Sequence, residues 1–82
     1  MTTFSNNPII VAQVNAYIVF LSCTNQNHEV RQMSELVAGD NRAALIEFLE
    51  TAVNYHGQFT ADNAELGNAY MAKSLLNLIR MF

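Results

Sequence analysis

The chain has 82 residues, of which 51% are hydrophobic and only 13% charged, about half the charge of an ordinary soluble domain. Intrinsic disorder is excluded, because a disordered chain is poor in apolar residues and rich in charge. Four Lys and Arg against seven Asp and Glu give a net charge of -3, which argues against a nucleic-acid binder that works by neutralising phosphates.

The first predicted element opens at Asn7-Pro8, where asparagine suits the cap and proline the first helical position. It runs to Ser22 or Cys23 and ends in the polar cluster Thr24, Asn25, Gln26, Asn27. Ile9, Ile10, Val11, Val14, Ile18 and Val19 are β-branched, so a buried strand or hairpin competes with helix here. Wound as a helix, the segment has two apolar arcs. Ile10, Val11, Val14, Tyr17, Ile18 and Leu21 form one; Ile9, Ala12, Ala16, Val19, Phe20 and Cys23 form the other. Only Gln13 and the line Asn15/Ser22 part them, and a helix apolar nearly all round is a covered helix. No charged side chain occurs in residues 1–27.

The second element covers His28 to Ala38, with a narrow stripe of Val30, Met33 and Val37, and stops at Gly39,. The third is capped by Asp40 or Asn41 and ends at Gly57. Leu45, Phe48, Leu49, Ala52, Val53 and His56 share one side of it, and Glu47, Glu50, Thr51 and Asn54 share the other,. The fourth is expected to be capped by Thr60, with Phe59 as its staple residue, and to run to the C-terminus. Met71, Leu75, Leu78, Ile79 and Phe82 lie opposite Lys73, Asn77 and Arg80. Its first half is slender, with Ala61, Ala64, Gly67, Ala69 and Ala72; small side chains admit a neighbouring backbone, although alanine also simply favours helix. These four segments predict an all-α fold, a small bundle of about four helices forming one domain over 1–82.

Size then becomes an argument about partners. A single core at this length yields only about 3–5 kcal/mol. Cys23 is the one cysteine, so no internal disulfide is available, and Cys23, His28 and His56 do not form a paired zinc motif,. Self-association is therefore expected to complete the fold, as a homodimer with Ile9, Ala16, Val19 and Phe20 at the contact, because an uncovered second arc would be a large apolar patch.

Catalytic chemistry is sparse. Gly39, Gly57 and Gly67 are too scattered for a phosphate loop, and no serine has a motif partner among the histidines,. Cys23 lies in an apolar arc and reads as buried core filler rather than nucleophile. Glu47 and Glu50 fall on a polar face, while Asp62 and Glu65 suit the positive end of the fourth helix. Gly39 in a short turn invites a helix-turn-helix reading, but the following helix presents Glu47 and Glu50 where a DNA reader needs donors. The two histidines could sense pH; the plainer reading is a solvent-facing His28 and a partly buried His56 beside Val53.

The expected function is a small non-enzymatic protein-interaction module, such as an adaptor, an inhibitor or immunity-like binder, or an assembly subunit. It would be cytoplasmic and use no cofactor and no metal. Its partners would be itself and another protein, not nucleic acid. A membrane-associated helical protein anchored by residues 8–23 is the alternative, although a spanning helix needs about 20 apolar residues and Gln13 and Asn15 interrupt this one. A ligand or metal site in the helical core, using His28, His56 and Cys23, is a third.

Overall fold

The computed structural model describes residues 7–39 and 41–81, and they form four helices in chain order. Helix α1 spans Pro8–Cys23. The Asn7 side chain accepts hydrogen bonds from the amides of Ile9 (3.0 Å) and Ile10 (3.3 Å), so helix prevails over the competing strand. The local cap supports this, and the sixteen-residue length offers one continuous face to the bundle. Thr24 ends the helix by donating its hydroxyl to the Phe20 carbonyl. Asn25, at φ 61°, then turns the chain in the left-handed region that asparagine tolerates better than most residues.

Helix α2 spans Asn27–Ala38 and has no side-chain cap. Helix α3 spans Arg42–His56, and its cap is Asn41, which accepts from the Ala44 amide at 3.1 Å. Asp40, the other candidate, lies outside the described residues, as does Phe82. Helix α4 spans Asn63–Met81, so it begins later than a Thr60 cap would require. Asp62 holds that position instead, accepting from the amides of Ala64 (2.9 Å) and Glu65 (3.2 Å). A carboxylate there satisfies two free amides and also meets the positive end of the helix dipole. Thr60 stays exposed in the preceding turn, and Phe59 stands edge-on to Tyr55 at 5.3 Å between ring centroids.

Helix α4 packs against α1 and α3, and α2 closes the bundle against α1 and α3. Arg42 at the start of α3 donates to the Ile79 carbonyl near the end of α4. His56 at the end of α3 meets Glu65 at the start of α4, so these two helices run antiparallel. The core contains Ile10, Val14, Tyr17 and Leu21 from α1, Met33 from α2, Leu45, Leu49 and Ala52 from α3, and Ala72, Leu75, Leu76 and Ile79 from α4. This is the all-α four-helix bundle that the capped, amphipathic segments predict,.

The two arcs of α1 meet different fates. Ile10, Val14, Tyr17 and Leu21 of the first arc supply the core, with Val11 exposed at its edge, whereas in the second Ile9 and Val19 are 59% and 60% exposed. Ala12, Ala16 and Cys23 are exposed with them. The expectation that Cys23 is buried core filler is thereby corrected: apart from Phe20, which turns toward α4, the second arc faces outward. Among the described residues, no helix is long and apolar enough to cross a membrane.

Candidate functional site

One end of the bundle is closed by polar side chains contributed by all four helices and the α1–α2 turn. Asn68 of α4, with no exposed surface, is the hub. Its carbonyl oxygen accepts from the Tyr17 hydroxyl at 2.5 Å. Its amide nitrogen donates to Gln26 and, at 2.8 Å, to Glu29 Oε2. Both amide hydrogens are thus used. The other carboxylate oxygen of Glu29 lies 2.7 Å from His56 Nε2, and the opposite ring nitrogen of His56 contacts Glu65. Among the described residues no buried side-chain nitrogen or oxygen lacks a partner, as a buried polar cluster requires.

The arrangement draws on local capacity for tertiary ends. Gln26 stands where a side chain would cap α2, yet its amide is committed to Thr24 at 2.6 Å and its carbonyl to Asn68. Glu29 lies in the first turn of α2, where negative charge suits the helix dipole,, and also bridges to α3 and α4. Glu65 serves α4 in the same double way.

His56 is pulled in two directions. Burial lowers its affinity for a second proton, but the hydrogen bonds and negative charges of Glu65 and Glu29 outweigh burial and raise its pKa above the ordinary 6.5. The imidazolium is the favoured form, donating from both nitrogens to carboxylates. Tyr17 is held neutral: burial pushes its phenol far above the usual 10, and the Glu29 charge pushes the same way.

The chemical consequence is a closed array. Both ring nitrogens of His56 are occupied by carboxylates, leaving neither to take a proton from a bound substrate. The two carboxylates sit at opposite ring nitrogens instead of converging on one point, and among the described residues no three His, Cys, Asp or Glu side chains are grouped to hold a metal ion. Two open grooves of about 440 and 420 Å³ lie along α2 and α3, sharing Gln32 and Phe48 as lining; the first reaches Glu29 of the array and the second lies toward the α2–α3 turn at Gly39 and Asn41.

The residues singled out in the sequence fall in several places. His56 is buried as the centre of the array, more deeply than a position beside Val53 suggests, while His28 is exposed. Glu65 does more than face a helix dipole. Glu47 and Glu50 are exposed, and Glu50 pairs with Arg80 at 2.8 Å. Of the four contact residues expected on α1, Ile9, Ala16 and Val19 are exposed together; Phe20 is half-buried. The Phe20 ring rests on Gly67, where an added Cβ would come within 2.5 Å of it, so the slender part of α4 accepts an aromatic ring from α1. Tyr17, Gln26, Glu29 and Asn68 had no assigned role, although each is a polar-bearing side chain on or beside an apolar stripe. No protein-family model, curated protein or solved structure matches the chain.

Proposed function

We propose that this chain is a small non-enzymatic protein-interaction module that presents the outer arc of α1, and that a second copy of the chain is its first occupant. The observation that carries the reading is the exposure of Ile9 and Val19 on a helix without a single charged residue. Exposed apolar patches of this kind favour association over solvation. Charge limits where a copy of the same chain can dock. Two molecules each carrying -3 repel, and a two-fold contact brings like surface to like surface. The uncharged arc of α1 is where such a contact places no like charges opposite one another.

Adaptor, inhibitor and assembly roles all use a surface of this type, and a cytoplasmic setting suits the lone exposed Cys23,. A helix lying on a lipid surface would carry Lys or Arg along its polar face; α1 carries none.

Light scattering coupled to size exclusion is the test, with Val19→Glu as the probe because Val19 is exposed and lies outside the core. The expected result is a dimer at high micromolar concentration for the parent chain and a folded monomer for the variant. A parent chain that stays monomeric there, or that binds neutral lipid vesicles through this arc instead, overturns the reading.

A further inference from the structure

Helix α2 is the least anchored of the four. It buries one side chain fully, Met33, with Val30, Leu36 and Val37 partly covered. It lacks a side-chain cap, and two open grooves run along its junction with α3. Elements with few buried apolar contacts are those that open locally before the rest of a fold. Its polar attachments to the remainder of the bundle are therefore unusually weighty, and they pass through Glu29. That carboxylate bridges Asn68 on α4 and His56 on α3.

We propose that α2 is a detachable helix and that Glu29, His56 and Glu65 form its proton-operated latch. The proton count follows from the contacts. Two nitrogen-to-oxygen contacts flank the imidazole, and each needs a proton between its atoms. The three side chains hold both contacts while they share two protons. When one leaves, a ring lone pair faces a carboxylate oxygen, and two half-buried carboxylates flank a neutral, buried ring. One contact must then break. Glu65 lies on α4, which is firmly packed by Ala72, Leu75, Leu76 and Ile79. Glu29 lies on the weakly held helix, so the Glu29 side yields.

Among the described residues the surroundings supply no substitute cation. Helix α1 contributes the neutral Tyr17, α3 contributes Tyr55 edge-on to His56 at 5.0 Å, α2 contributes Glu29, and α4 contributes Glu65. Among the described residues neither carboxylate has an ion-pair partner other than His56. Release of α2 would expose Val30, Met33 and Val37 together with the side of the core they cover, a second apolar surface distinct from the outer arc of α1.

The sign of the effect is fixed. His56 binds its second proton more tightly in the closed form than as a free imidazole, whose ordinary value is 6.5. Closure is therefore complete below that value and is lost as pH rises through the closed-form value, with the opening constant growing by as much as tenfold per pH unit between the two. Amide hydrogen exchange from pH 5 to 9, corrected for the intrinsic rate, reads this helix by helix. Amides of α2 are expected to lose protection with rising pH while those of α3 and α4 keep theirs. Glu65→Gln, whose side-chain amide can donate to a neutral ring nitrogen and so keep both contacts without the second proton, should flatten the pH dependence of α2 protection. Protection of α2 that is independent of pH, or lost in step with α3 and α4, overturns the proposal, as does a transition that Glu65→Gln leaves in place.

Discussion

The two ends of this bundle are held together by different physics. At the end where α3 begins and α4 finishes, Leu45, Leu49, Leu76 and Ile79 are buried against one another as an ordinary apolar seam. At the other, Tyr17, Gln26, Glu29, His56, Glu65 and Asn68 fill the space with hydrogen bonds. Apolar packing is non-directional and indifferent to pH. The polar end is directional, its members depend on one another, and its integrity rests on how many protons it holds. One small fold thereby has an end fixed by shape and an end that conditions can change.

Mutations should separate the two. Leu75→Ala, at a position with no exposed surface, is expected to cost about 2–5 kcal/mol, close to all the stability a core this small provides. Urea denaturation should show that loss equally at pH 5 and pH 8. A smaller effect is expected from Asn68→Ala. It leaves the buried Tyr17 hydroxyl and the part-buried oxygens of Gln26 and Glu29 without their Asn68 partner, at about 1–3 kcal/mol. The same denaturation should show a cost if the hub is structural; an unchanged midpoint would mean water replaces it freely. Smallest is Asn41→Ala, which removes the α3 cap for about 1 kcal/mol, a loss that should not vary between pH 5 and 8.

The ends also differ in how far the sequence discloses them. The apolar end is written in periodicity: Leu45 and Leu49, or Leu75 and Ile79, recur one turn apart on one side of a helix,. Asn7-Pro8, Asn41 and Gly57 mark boundaries because capping is local chemistry. The later start of α4 was less legible, since Thr60 and Asp62 both suit a cap and only the turn between α3 and α4 decides. The polar end is assembled from residues 17, 26, 29, 56, 65 and 68, whose meeting depends on how four helices pack. A signal was nevertheless present. Asn68 stands one turn before Ala72 in the buried stripe of α4, and Glu29 one turn before Met33 in that of α2. A polar side chain on an apolar stripe needs a partner, and two such positions on different helices point to each other.

The exposed arc of α1 was visible as an excess of apolar residues, because a helix of this bundle can offer only one side to its neighbours. Cys23 is exposed for the same reason: periodicity shows that an arc is apolar but not which way it faces. Phe20 shows how finely the boundary runs, since Gly67 gives its ring a seat that a larger residue would fill.

At His56 burial and the two carboxylates act in opposite directions, so its titration decides which of them holds the polar end. Imidazole resonances of the intact chain, followed by NMR from pH 4 to 9, resolve His56 from the exposed His28. His56 is expected to keep its second proton to a pH above the ordinary 6.5, with both ring nitrogens protonated below that point. A midpoint at or below 6.5 would mean that burial prevails, that His56 is not the cation between Glu29 and Glu65, and that the polar end is not held by protons.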